Sequence, residues 1–252
     1  MIRRGGVGAN RREGVRVANA TLWNPKAPGG LTGWISDASF SGSPVATVTN
    51  LGSAGGSWTA AGAAQPTTTA IGARTALLFD GTNNIMTGGP SPNALGVTGG
   101  NYTVIAALRP DALAGVPAFG YAGASIIQDA TSGDMYPIEF RATGVYAGHF
   151  TAGSLDKFTA TIGVSTSTVY IVQVWYDGTN INLTANGSTQ TVATGPSPMA
   201  GSANATTIGA NYTGTPKFQG AIGELLIYSS DIGAGARSSA VGYLKSRFPT
   251  AV

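Results

Sequence analysis

The chain has 252 residues, of which 42% are apolar and 10% charged, and its formal net charge is +3. This apolar share is enough for a full hydrophobic core and excludes a disordered chain. The sequence has no cysteine, which excludes disulfides, a thiolate zinc site and a cysteine nucleophile. No apolar run approaches the 18 residues that a membrane span needs, so we expect no membrane insertion.

The first 30 residues form a basic segment. They hold six basic residues against Glu13, a net charge of +5, whereas residues 31–252 hold eight basic and ten acidic groups, or −2. No apolar h-region follows the first arginines, so we expect no secretory signal. We interpret residues 1–30 as a basic N-terminal arm that docks on a neighbouring subunit or an acidic surface; the alternative is a solvated, disordered terminus. The arginines are not interleaved with aromatic residues, which argues against nucleic acid as a partner. The docking arginines are Arg3, Arg4, Arg11, Arg12 and Arg16.

The predicted domain, residues 31–252, begins with loops and short edge strands up to residue 73. Residues 76–86 then predict a strand, a tight turn at Asp80-Gly81 and a second strand, because Gly readily takes the positive φ of such turns. The same aromatic-Asp-Gly-Thr-Asn sequence returns within residues 172–187. We therefore expect two β-hairpins of one sandwich rather than a repeat array.

The middle of the chain is rich in strand formers. Residues 102–110 and 169–178 carry many β-branched and aromatic side chains and are the best candidates for central strands. Residues 135–150 alternate around Pro137 and predict an edge or curved strand. Residues 181–194 contain a further turn, at Asn186-Gly187. Strands at a spacing of about ten residues favour a sandwich or jelly roll.

The C-terminal stretch predicts a buried strand followed by a short helix. The strand covers Ala221 to Tyr228 and is apolar except for Glu224. Pro249 ends the helix, because its ring cannot continue the hydrogen-bond ladder. One apolar stripe lies along the helix, at Ala236, Ala240, Leu244 and Phe248.

This stretch resembles the end of the concanavalin A-like lectin/glucanase superfamily in its laminin G-like branch. The resemblance continues forward through Leu31 to Ser39, Gln65-Pro66, residues 76–84 and Ile208-Gly209. It implies an all-β, jelly-roll β-sandwich with an extended N-terminal arm and a short C-terminal helix. The C-terminal positions that carry it are Phe218, Gly220, Ile222, Glu224, Leu225, Ile227, Tyr228, Tyr243 and Leu244.

Glucanases of this superfamily carry two carboxylates on one strand in a Glu-x-Asp-x-x-Glu pattern, and retaining hydrolysis needs such a pair about 5 Å apart. Glu13, Glu139 and Glu224 are the only glutamates of the chain, and none lies in that pattern. We expect Glu139 to pair with Arg141 and Glu224 to be a hydrogen-bonded structural residue. His149 has no neighbours that suggest a triad. The sequence therefore predicts that the protein is not an enzyme.

Lectins and laminin G-like domains often bind calcium, which needs six to eight oxygen ligands. The weak metal candidates are Asp129 and Asp134 in the segment QDATSGDM, for which a solvated loop is the alternative. We assign Asp80 and Asp177 to turn chemistry. No other cofactor is predicted.

Sugar binding uses exposed aromatic platforms beside polar groups, although large aromatic side chains in a sandwich are more often structural. The candidates are Trp23, Trp34, Trp58, Tyr121, Tyr146 and Tyr212.

Low charge, the charge-segregated arm and the missing catalytic pair together favour a structural role. The resemblance adds that such domains decorate phage particles. We predict a virion protein of a phage, either a capsid decoration or a tail-associated protein, made in the host cytoplasm. Its partners would be other virion proteins and further copies of itself. The alternative is a carbohydrate-binding module that recognises a host receptor or a polysaccharide.

Overall fold

A computed structural model describes residues 23–113, 124–125, 127–129, 135–149, 162–185, 187–194, 198–199, 201–210 and 217–252. Within these residues the chain forms sixteen β-strands, a short 3-10 helix (Gly62–Ala64) and one α-helix, α1 (Gly233–Arg247). In this part of the chain no helix is long and apolar enough to cross a membrane. The strands are β1 (Leu31–Ile35), β2 (Thr47–Thr49), β3 (Ser57–Thr59), β4 (Thr67–Ile71), β5 (Arg74–Asp80), β6 (Met86–Gly89), β7 (Tyr102–Pro110), β8 (Ala124–Ser125), β9 (Ile127–Asp129), β10 (Met135–Arg141), β11 (Gly144–His149), β12 (Tyr170–Tyr176), β13 (Asn180–Ala185), β14 (Ser188–Thr194), β15 (Thr206–Ile208) and β16 (Gln219–Tyr228).

The largest sheet has the order β14-β13-β12-β7-β16-β5-β4, with β1 also paired to β16. All of these pairings are antiparallel. The strands predicted to be central, β7 and β12, lie inside the sheet. The first half of β16 pairs with β5 and its second half with β1, and its register against β7 shifts between Ile222 and Glu224. Gly223 occupies this bulge, because a Cβ there would overlap the ring of Phe248.

Two smaller sheets, β2-β3-β6-β15-β9 and β11-β10-β8, cover the inner face of the large sheet. Strand alternation supplies the core between the layers, because every second side chain of a strand points to the same face. The small sheets contribute Trp58, Met86 and Phe140, and the large sheet contributes Phe79 and Tyr176 among others. The expected all-β sandwich is therefore confirmed.

Helix α1 packs on the outer face of the large sheet. Ala240, Leu244 and Phe248 are fully buried against apolar side chains of β7, β12 and β16, while Ala236 is half-buried. The predicted stripe is confirmed, and the helix ends before Pro249 as expected. Beyond the helix, the outer face of β12, β13 and β14 is polar, which defines the candidate site described below.

The predicted hairpin at Asp80-Gly81 is wrong. Strand β5 ends at Asp80 and β6 begins at Met86, but β5 pairs with β4 and β16, whereas β6 pairs with β3 and β15. The connection therefore crosses from one layer to the other. The repeated sequence at Asp177-Gly178 does form a hairpin, in which β12 pairs directly with β13. The hairpin between β13 and β14, at Gly187, is also confirmed.

The sequence predicted a single edge or curved strand for residues 135–150, and this prediction is wrong because the structure has two strands there. Residues 135–149 form two strands, β10 and β11, joined by a turn at Ala142-Thr143, and β10 lies between β8 and β11 rather than at an edge. The register of the pair shifts between Tyr136 and Glu139, around Pro137, which has no N–H to donate to the ladder.

Candidate functional site

The predicted metal and assembly residues lie mostly outside the described residues. This holds for Asp134 and for Arg3, Arg4, Arg11, Arg12 and Arg16. Asp129 is the last residue of β9, opposite Thr206 of β15, so it belongs to a strand rather than to the predicted loop. Among the described residues, no group of three or more His, Asp or Glu side chains could hold a metal ion.

Asp80 and Asp177 cap the turns in which they lie, as predicted. Oδ1 of Asp80 accepts hydrogen bonds from the backbone N–H groups of Thr82, Asn83 and Asn84, at 2.8–3.0 Å. Burial raises the pKa of Asp80, but these hydrogen bonds outweigh it, and the pKa is lowered from its usual value. The pKa of Asp177 is lowered for the same reasons, because backbone N–H groups of the 177–180 turn donate to its Oδ1. Both carboxylates stabilise turns.

The expected Glu139–Arg141 ion pair is present. Its atoms lie 2.8 Å apart, and the side chains are only 5% and 11% exposed. Arg141 also lies over the ring of Tyr146, 4.5 Å from its centroid. Glu139 therefore forms a structural ion pair.

His149 is the last residue of β11.

Glu224 is the most deeply buried carboxylate among the described residues, with no exposed surface. Its Oε1 accepts hydrogen bonds from Nε1 of Trp34 at 2.8 Å and from the hydroxyl of Tyr243 at 2.9 Å. Its Oε2 lies 2.7 Å from Nε of Arg247, whose Nη2 also contacts Asp37 at 2.7 Å. Burial raises the pKa of Glu224, against the opposing effects of Arg247 and the two donors. The predicted structural role of Glu224 is confirmed, because its partners are buried or half-buried side chains of β1 and α1 that pack against β16.

The segment preceding β1 packs beside this cluster. The ring of Trp23 lies 5.8 Å from that of Tyr243, and Nζ of Lys26 lies 5.8 Å from the ring centre of Trp34. The buried hydroxyl of Tyr228 donates to the carbonyl of Pro25 at 2.9 Å. Residues 23–26 are therefore fastened to the outer face of the large sheet.

The predicted aromatic candidates are largely structural. Trp58 is fully buried and donates from Nε1 to Oγ1 of Thr206 at 2.9 Å. Trp23 and Trp34 belong to the Glu224 cluster, and the ring of Tyr146 is paired with Arg141. Tyr121 and Tyr212 lie outside the described residues.

A different tryptophan lies on a partly open polar surface. Tyr170, Val172, Val174 and Tyr176 of β12 point into the core, so the intervening side chains of this strand point outward. Trp175 faces away from the core and is half-buried. Cross-strand pairing extends this surface over the next two strands. We call it the Trp175 face, and it comprises Gln173, Trp175, Asn182, Thr184, Thr189 and Thr191.

The Trp175 face is rich in hydroxyl and amide groups. Oγ1 of Thr191 donates to Oδ1 of Asn182 at 3.0 Å, and the hydroxyls of Thr184 and Thr189 lie 2.9 Å apart. Arg237 of α1 lies over the ring of Trp175, with its guanidinium carbon 4.1 Å from the ring centre, and it forms an ion pair with Asp231. The face thus presents donors and acceptors beside an aromatic ring, with little net charge.

Sequence reasoning missed Trp175, although a signal for it exists. The hairpin at Asp177-Gly178 fixes the register of the two strands, which sets Trp175 opposite Asn182. In residues 170–176 the alternation of the other large side chains also places Trp175 on the outer face.

The packed antiparallel sheets with one helix on the outer face form a lectin-like β-sandwich. The chain matches the family described as the concanavalin A-like lectin/glucanases superfamily over residues 79–234, and it belongs to that family. No curated protein sequence gives a significant match.

Solved structures with the same fold are distant in sequence. Domain 4 of AbnA, an extracellular arabinanase of Geobacillus stearothermophilus solved with arabinotriose, is 17% identical, with a TM-score of 0.53 over 81% of this chain and 98% of that domain. The botulinum neurotoxin serotype G binding domain is 14% identical, with a TM-score of 0.56 over 86% of this chain and 51% of that one. Trypanosoma rangeli sialidase is 14% identical, with a TM-score of 0.54, and this chain spans a third (33%) of its length.

Proposed function

We propose that the protein is a non-catalytic, lectin-like domain that binds a neutral carbohydrate on the Trp175 face. One observation carries the proposal: an outward-facing tryptophan lies among amide and hydroxyl side chains on an otherwise charge-poor sheet. Hydroxyl and amide groups both donate and accept, as sugar hydroxyls require, and an indole offers an apolar ring for the C–H face of a sugar. Fold neighbours that include a domain solved with arabinotriose and a toxin binding domain support this choice.

The non-catalytic part of the proposal has separate support. Glu139 and Glu224 are engaged in framework contacts, and Asp80 and Asp177 cap turns. Each of these four carboxylates is held by hydrogen bonds or an ion pair, whereas retaining hydrolysis needs two free carboxylates that face the bond to be cleaved. A hydrolase assay on neutral glycans should therefore give no turnover.

Immobilised neutral oligosaccharides, with arabinotriose among them, test the binding proposal. We expect saturable binding by the full chain to at least one of them. Binding should weaken when Trp175 becomes Ala. Absence of binding to every neutral glycan would remove the proposal.

We also propose that this domain serves in a virion, as a capsid decoration or tail-associated protein that docks through residues 1–30. Residues 1–30 carry a net charge of +5, whereas residues 31–252 carry −2, and this separation of charge supports a docking role for residues 1–30. The attachment of residues 23–26 beside Glu224 supports it too, because it gives such a segment a fixed base.

Light scattering after size exclusion tests self-assembly through the segment. The full chain is compared with a variant in which Arg3, Arg4, Arg11, Arg12 and Arg16 are replaced by Gln. We expect a defined oligomer for the full chain and a smaller species for the variant. Equal masses would exclude self-assembly through these arginines, and absence from purified particles would exclude the virion role.

A further inference from the structure

A cleft lies at the other end of helix α1 from the Trp175 face. Arg237 near the start of α1 contacts Trp175, whereas Thr250, just beyond the end of α1, lines this cleft. The cleft has a volume of about 390 Å³, which is in the range of small-ligand sites. We call it the Arg109 cleft, and its polar side chains are those of Arg109, Ser167, Thr168 and Thr250.

Arg109 is held in place but keeps donors to spare. Its Nε and Nη2 donate to the two carboxylate oxygens of Asp111 at 2.8 and 2.9 Å, which fixes the plane of the guanidinium. Its side chain is 22% exposed, and among the described residues Nη1 has no protein partner. A fixed guanidinium with an open edge is suited to an incoming carboxylate.

Ser167 adopts a backbone conformation that serine rarely takes. Its φ is +61°, in the left-handed region, and its N–H donates to the carbonyl of Pro110 at 2.6 Å. Glycine would adopt this φ at no steric cost, so a serine here points to a use for its hydroxyl. Ser167 and Thr250 are exposed and Thr168 is half-buried, and all three line the cleft, so their hydroxyls are accessible to a ligand there.

We infer that the Arg109 cleft binds a sugar unit that carries a carboxylate, as a uronic acid does. The guanidinium would hold the carboxylate, and the three hydroxyls would hydrogen-bond to ring hydroxyls. The choice of a sugar rests on the proposed function, whereas the carboxylate follows from Arg109. The site is separate from the Trp175 face, so the two can fail independently.

The test compares methyl glucuronide with methyl glucoside, which has a hydroxymethyl group in place of the carboxylate, by NMR titration of the full chain. We expect the glucuronide to bind at least about tenfold more tightly. Arg109→Gln should abolish this preference, and Arg74→Gln, which changes another ion-paired surface arginine, should leave it unchanged. Equal binding of the two sugars, or a preference that survives in Arg109→Gln, overturns the inference.

Two variants of Ser167 separate binding from folding. Ser167→Gly removes the hydroxyl and relieves the unfavourable φ, so it should weaken glucuronide binding several-fold without lowering the thermal midpoint. Ser167→Ala should weaken binding equally while keeping the backbone constraint. Unchanged affinity in both variants contradicts the assigned role of Ser167.

Trp175→Ala should leave glucuronide binding intact. If the protein binds the glucuronide but no neutral glycan, the result counts against the proposed function and not against the Arg109 cleft.

Discussion

Glu224 and Arg247 join the central strand β16 to the last turn of α1, with 2.7 Å between Oε2 and Nε. Trp34 of β1 and Tyr243 of α1 donate to the same carboxylate, so three elements meet at one buried charge. The anchored segment before β1 packs on this cluster through Trp23. The outer-face helix is therefore fixed by a specific polar contact as well as by apolar packing.

Replacing Glu224 by Ala should destabilise the protein by about 3 kcal/mol, because it leaves Arg247 without its buried partner and two donors without an acceptor. Glu224→Gln should cost less, because the amide oxygen still accepts from Trp34 and Tyr243. Urea unfolding followed by circular dichroism measures both. Lys245→Ala, at an exposed position of the same helix, is the control and should change little. Equal stability of Glu224→Ala and the control would show that the cluster does not hold the helix.

Gly209 should not tolerate a side chain. Its φ is +84°, and a Cβ would overlap the ring of Phe79 in the core. We expect Gly209→Ala to cost about 2 kcal/mol or more in unfolding free energy. Gly242→Ala is the matched control, because this helical glycine has open space around it and should gain about 0.5–1 kcal/mol. Thermal unfolding of the two variants checks the contrast, and a stable Gly209→Ala protein would contradict the described packing.

The turn carboxylate Asp80 should make stability depend on pH in the acid range. The pKa of Asp80 is lowered in the folded state, so its contribution is fully present above its unfolded pKa of about 3.9 and is lost as the pH falls through the folded value. Asp80→Ala should therefore be less stable than the wild type at pH 7, and the gap should narrow as the pH falls below the unfolded pKa of about 3.9. Urea midpoints at a series of pH values measure the gap. A gap that stays constant with pH would exclude a role for the charge.

Strands with a clear period were predictable from the sequence. The runs containing Tyr102 and Tyr170 form central strands as predicted, and the run containing Ala221 forms the predicted buried strand, which also lies inside the large sheet. The stripe through Ala240 and Leu244 likewise set the buried side of α1. These features are local, because the alternation of apolar and polar side chains can be seen within each segment alone.

The connections were less predictable. Asp80-Gly81 and Asp177-Gly178 have the same local sequence and the same capping by an aspartate, yet the first crosses between layers and the second closes a hairpin. The difference comes from the partners of the following strand: Met86 enters the core against β3 and β15, whereas Ile181 pairs back on β12. The pairing partner of the following strand therefore cannot be predicted from the sequence of the turn.

The candidate site was only partly predicted. The aromatic candidates chosen from the sequence included Trp58, which is fully buried, and omitted Trp175, which is half-buried and faces outward. The alternation within residues 170–176 indicates the outward orientation of Trp175, but which polar side chains surround it depends on the pairing of β12 with β13 and β14. The structural roles of Glu139 and Glu224 were predictable, because neither lies in the pattern of paired catalytic carboxylates.

The most direct test of the central proposal is the binding of neutral oligosaccharides to the full chain and to Trp175→Ala. Trp23→Ala is the matched control, since it removes a half-buried tryptophan outside the Trp175 face. Titration calorimetry with the best-bound neutral oligosaccharide should give an affinity about tenfold or more weaker for Trp175→Ala, because a central aromatic anchor carries much of the binding energy. Trp23→Ala should bind like the wild type. Unchanged affinity in Trp175→Ala, or an equal loss in both variants, would contradict a carbohydrate site on this face.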